Sequence, residues 1–135
     1  MKKLLLLTLA IATLTSEGYS QNRPIQRGGI IVYEEDGHGL VAAPTDFEQD
    51  MDWLEAKEAC DTLTLNGYSD WRLPSKEELN QLYLNKDKIG GFASGYYSSS
   101  TEDSPNYAWV QGFDDGIQYW YNKYTANTVR AVRSF

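Results

Sequence analysis

Two short apolar runs, Gly29–Glu35 and Gly39–Ala43, bracket Asp36-Gly37-His38. An Asp-Gly pair between two such runs predicts a β-hairpin, with His38 as a solvated turn residue. The period then changes. Trp53, Ala56, Cys60 and Leu63 recur at steps of three and four behind Asp52, with Glu55 placed to close a capping box. That pattern predicts a helix, and Asn66-Gly67 is expected to supply its left-handed stop. A second capping box, Ser75 with Glu78, opens another helical face through Leu79, Leu82 and Tyr83. From Gly90 onward the chain reads as strand: Tyr96–Thr101, Ala108–Phe113 and Ile117–Tyr121, the last two flanking Asp114-Asp115-Gly116, with Thr128–Phe135 closing it. Strand pair, two helices, then several strands define an α+β class with antiparallel sheet.

The N-terminus carries a different signal. Lys2 and Lys3 precede the apolar run Leu4–Leu14, and Gly18 and Ser20 hold the −3 and −1 positions of a cut after Ser20. The run is too short to span a bilayer, so residues 1–20 are expected to be a cleaved signal peptide and not a permanent anchor. Residues 21–28 then form a short lead-in, and 29–135 a single domain, secreted or periplasmic. Cleavage would remove Lys2, Lys3 and Glu17. Of 12 basic and 19 acidic residues, 10 and 18 would remain, a net charge of about −8. Such a charge disfavours nucleic acid, which needs clustered Lys and Arg. It leaves neutral glycans, proteins, cations or small molecules open, and an extracellular or periplasmic glycan or protein is the expected partner.

Chemistry is sparse. Cys60 is the one cysteine and His38 the one histidine, so neither an internal disulfide nor a multi-histidine metal centre can form within the chain. Cys60 on a helix stripe reads as a small core residue. The acidic clusters around Glu34–Asp36, Asp46–Asp52 and Asp114-Asp115 form no EF-hand loop. No catalytic residue, metal or cofactor is assigned. The material that stands out is aromatic: 4 Trp, 10 Tyr and 4 Phe. In Ile117–Tyr121 alternation puts Ile117, Tyr119 and Tyr121 on one side and Gln118 and Trp120 on the other, so one side is expected to pack the core and the other to reach solvent. Exposed Tyr and Trp suit stacking on sugars or gripping a protein. The candidate ligand-binding residues are therefore Tyr97, Asn106, Trp109, Asp114, Asp115, Tyr119, Trp120 and Tyr121. Arg72 is expected to tie its loop to the following helix or to an acidic partner. Arg130 and Arg133 are expected on opposite faces of a strand, one of them in a structural ion pair.

Several strings together carry a resemblance: Trp53, Ala56 and Cys60; Gly67-Tyr68-Ser69-Asp70-Trp71-Arg72-Leu73-Pro74; Tyr97–Ser100; Ala108-Trp109; Phe113–Gly116; Asn122-Lys123; and Val129–Arg133. In this order they resemble the Lcl C-terminal domain family over about residues 30–135. The resemblance implies a C-type-lectin-like fold, with two helices packed on antiparallel sheet, and an exported, non-catalytic role in adhesion and ligand display. It also brings a link to sulfated glycosaminoglycans, which a charge near −8 opposes. The alternative role is a structural or self-assembly module of the cell envelope.

Overall fold

A computed structural model of the protein describes residues 23–135; the expected signal peptide and its cut after Ser20 lie outside the described residues. Strands β1 (Ile30–Glu35) and β2 (His38–Ala42) form the expected hairpin. Asp36 and Gly37 both take positive φ, 54° and 82°. This is the two-residue turn whose twist matches that of paired strands. Exposed His38 opens β2 instead of sitting within the turn. The C-terminal strand β6 (Val132–Ser134) pairs antiparallel on the other side of β2, giving the sheet order β1-β2-β6. As the middle strand, β2 is buried on both faces. Leu40 and Ala42 join one core cluster, and Val41 with the following Ala43 joins the other.

Helix α1 (Trp53–Asp61) and helix α2 (Lys76–Leu84) begin where the capping boxes place them. Asp52 accepts from the Glu55 amide at 2.9 Å and Ser75 from the Glu78 amide at 3.1 Å, and both glutamates reach back to the cap amides. Each box contributes about 1 kcal/mol to its helix. Helix α2 carries its whole apolar series through Tyr83, whereas α1 stops before Leu63. Helix α1 ends at Thr62, whose hydroxyl donates to the Glu58 carbonyl. Asn66 (φ 53°) and Gly67 (φ 85°) do not stop the helix; they form the turn of a small bridge between Leu65 and Tyr68. Two consecutive positive φ values make a hairpin turn, whereas a helix stop needs only one. A single-turn helix α3 (Lys86–Ile89) follows α2 and buries Ile89.

A second sheet, ordered β3-β4-β5, comprises β3 (Tyr96–Ser104), β4 (Tyr107–Gly112) and β5 (Gln118–Asn122). The segment before β6 links the two sheets, since Thr128 exchanges backbone bonds with Tyr96 and Ser98. The expected strand Thr128–Phe135 is thus continuous only over Val132–Ser134. Residues 128–131 cross between sheets, and their carbonyls serve Ser98, Phe47 and Ala43.

The string Asp70–Pro74 is a structural joint. Trp71 is buried and its indole donates to the Leu65 carbonyl. Arg72 exchanges backbone bonds with Val132, while its guanidinium grips Glu78 through both nitrogens at 2.6 and 2.8 Å. The loop is tied to the following helix, as the sequence suggests. Both C-terminal arginines, not one, are structural. Arg133 pairs with Asp70 at 2.7 Å, and Arg130 with Asp46 at 2.6 Å.

Candidate ligand-binding surface

Strand β5 is the edge of its sheet and pairs with β4 in unbroken register: Ala108 faces Tyr121, Trp109 faces Trp120 and Val110 faces Tyr119. Side-chain alternation therefore makes two aromatic faces. On one face lie Trp109 and Trp120, edge to face with ring centroids 5.4 Å apart. The ammonium of Lys76, in the first turn of α2, sits 3.5 Å from the Trp109 ring centroid. A cation so placed is attracted by the ring's electron-rich face and fixes the indole in place. Behind the pair, buried Gln111 donates to Asn80 and to the Gly116 carbonyl, and Gln118 donates to Gln111 and to the Lys76 carbonyl. These amides lock β5 to α2. Trp120 stays 55% exposed on this rigid base.

The opposite face carries Tyr119 and Tyr121, joined by Tyr96 of β3. Tyr96 lies 5.6 Å from Tyr119 and 5.1 Å from Tyr121, each edge to face. The Tyr96 phenol is pushed up to about 12, first by its hydrogen bond with Tyr121, then by that ring's charge and by desolvation. The Tyr96 phenol thus stays protonated at neutral pH and can both donate and accept.

At the β3–β4 turn, Trp53, Leu54, Pro105, Asn106, Lys123 and Tyr124 line most of a cleft of about 260 Å³. The Trp53 indole donates to the Ser99 carbonyl. Lys123 lies 4.3 Å from the Trp53 ring centroid and binds the Pro105 carbonyl and Glu102. Asn106 keeps its side chain exposed at the rim while its carbonyl accepts from the Lys123 amide. A larger cleft of about 500 Å³ opens beside Gly90–Ser94. Its cations are already engaged: Arg23 donates to the Lys88 and Asp87 carbonyls, and Lys86 to that of Phe113. It offers a ligand less free chemistry than the aromatic faces do.

The sequence candidates divide accordingly. Trp109 and Trp120 meet on one face, Tyr119 and Tyr121 on the other. Neither side of β5 packs the core, because Tyr119 and Tyr121 are half-buried and Trp120 is exposed. Asp114 and Asp115 lie exposed in the β4–β5 turn, where Asp115 accepts from the Ile117 amide. Tyr97 is a correction: it is wholly buried, its ring tilted against Phe113 with centroids 4.2 Å apart, and its hydroxyl donates to Asp46 and accepts from the Ala93 amide. Its neighbour Tyr96 takes the surface role, since adjacent residues in a strand face opposite ways. Tyr96 was legible as half of a Tyr-Tyr pair, but parity alone could not say which half faces out. Lys76, Trp53 and Lys123 left no such signal, because their partners lie far away in sequence.

Among the described residues no group of His, Cys, Asp and Glu is positioned to hold a metal ion. Asp46, Asp50 and Asp52 serve Arg130, Thr128 and the α1 cap. Cys60 is buried, and burial, with a smaller contribution from Asp61, pushes its thiol up to about 12. A thiol so protonated is not a nucleophile at neutral pH.

The model of the Lcl C-terminal domain matches residues 32–133, and the chain belongs to that family. Its fold is C-type-lectin-like, α+β with two antiparallel sheets. Among solved structures it is similar to the crystal structure of botrocetin, a C-type-lectin-like protein. That match has 12% identity and a TM-score of 0.50, and covers 75% of this chain and 93% of that one. No curated protein matches the chain.

Proposed function

We propose that this domain is an exported, non-catalytic binding module that recognises a neutral glycan through the aromatic surface of β4 and β5. The observation that carries the reading is Trp120, 55% exposed yet held against Trp109, whose ring is capped by Lys76. A preorganised indole beside amide side chains suits a sugar, which offers an apolar C–H face for stacking and hydroxyls for hydrogen bonding. Fixing the ring before binding lowers the ordering cost of the complex. Membership of the family and the C-type-lectin-like fold support a binding role without naming a ligand. The acidic balance, a net charge of −7 over the whole sequence, favours neutral over sulfated chains. A lone exposed histidine and a buried, protonated cysteine argue against chemistry at the site.

The test is a glycan array probed with the purified protein in calcium and in chelator. Equal binding to a coherent set of neutral sugars in both buffers is expected. A blank array from folded protein would shift the surface to a protein partner, and loss of binding in chelator would require a cation that the described acidic residues do not organise.

A further inference from the structure

The edge of β5 has free backbone bonding capacity. Gly112 donates to the Ile117 carbonyl and Lys123 to that of Asn106, so 117 and 123 bond towards β4. Alternation along the antiparallel ladder makes 119 and 121 do the same, and turns the N–H and C=O of Gln118, Trp120 and Asn122 outward. No strand among the described residues lies beyond β5. Proteins commonly guard such an edge with charge, proline or a bulge. Here the series Gln-Tyr-Trp-Tyr-Asn has no charge and no proline, and its register with β4 has no shift.

We propose that β5 pairs antiparallel with β5 of a second copy, about a two-fold axis through Trp120, and so joins two three-stranded sheets into one. The occupant is named by the series itself, which reads amide, Tyr, Trp, Tyr, amide in both directions. In that register Trp120 exchanges both backbone bonds with the second copy's Trp120, and Gln118 faces the second copy's Asn122. Tyr119 meets Tyr121, as an isologous interface requires. The Asn122 carbonyl, which already accepts from the Thr125 amide, has a second lone pair for this bond. Two acidic chains repel least where they present no charge, and 23% of this sequence is charged while β5 has none. Pairing also sets the two Trp109–Trp120 pairs in one row, and the two tyrosine clusters in another. This goes beyond glycan recognition by one chain, because it makes the surface bivalent.

The test is oxidation of the Trp120→Cys variant. Directly opposed, hydrogen-bonded residues have Cα atoms about 5.5 Å apart, within disulfide range. Native Cys60 is buried and inert. Covalent dimer is expected for most of the chain, against a trace for Tyr124→Cys, whose counterpart in this register is Gly116. Sedimentation should show mass rising to twice the monomer with concentration for the native protein. Trp120→Pro should stay monomeric and melt no lower than Trp120→Ala, because the N–H it loses points outward and bonds nothing in β4. Equal cross-linking of Trp120→Cys and Tyr124→Cys, or a native mass constant at one chain, would overturn the pairing. Glycan binding by such a monomer would leave the proposed function standing.

Discussion

Arg130 and Tyr97 hold opposite oxygens of one carboxylate: the guanidinium reaches Asp46 Oδ1 and the phenol reaches Oδ2, each at 2.6 Å. Arg130 is fully covered, lies 4.0 Å from the Phe92 ring centroid, and spends its other nitrogens on the Ala43 and Gly90 carbonyls. The trio clamps the Gly90–Ser94 loop and the loop after β2 onto the start of β3. A buried cation whose counter-charge is removed costs about 3–5 kcal/mol. Asp46→Ala should therefore lower stability by about that amount in denaturant titration. A loss below about 1 kcal/mol would mean that Arg130 finds another partner.

The Arg72–Glu78 pair makes stability acid-sensitive. Burial of Glu78 raises its pKa, but the Arg72 hydrogen bond and the Ser75 amide outweigh it, and the carboxyl ends below its usual value. A depressed folded pKa contributes stability that is present above the unfolded value and lost as pH falls through the folded one. Melting temperature should hold at neutral pH and fall below about pH 4.5. Glu78→Gln should cost about 1–2 kcal/mol at pH 7, and the cost should shrink as pH falls below about 4.5. An equal cost across that range would show that charge is irrelevant there.

Alkaline behaviour follows from two tyrosines. The Tyr97 phenol is pushed well up by burial, then by its bond to Asp46, and Tyr96 is raised to about 12. A raised folded pKa contributes stability below the unfolded value and loses it as pH climbs past about 10. Phenolate absorbance should show a late-titrating pair among the 10 tyrosines of the sequence. Tyr97→Phe should remove one member of that pair and Tyr96→Phe the other. A single common midpoint for all tyrosines would contradict the assigned environments.

Trp120 separates binding from folding. It is exposed and contributes no buried core, so Trp120→Ala should change stability by less than about 1 kcal/mol. Trp71→Ala, at a core position 2% exposed, should cost about 3–5 kcal/mol. Comparable losses for both would place Trp120 in the core and sink the site assignment.

What was legible in the sequence was local. The Asp36-Gly37 hairpin, the Asp52 and Ser75 capping boxes and the parity of β5 depend on neighbours within a few residues, and each is found where its pattern places it. Asn66-Gly67 suits a helix stop as well as the turn it forms, because hairpin turns and helix ends draw on the same positive-φ residues. The long C-terminal strand breaks at residues 128–131, whose backbone partners come from two distant segments, β3 and the loop after β2. Of the site, the meeting of Trp109 with Trp120 depends on register, and the cation of Lys76 on where α2 lies over the sheet. Neither is visible in a single run of residues.

The central claim is that one exposed indole on a fixed aromatic base does the recognising. The most direct measurement is a paired array: native protein and Trp120→Ala, matched in melting temperature, against neutral and sulfated glycans. Binding of the native protein to neutral sugars, reduced at least tenfold in the variant, is the predicted result. Undiminished binding by Trp120→Ala, or a preference for sulfated chains, would contradict it.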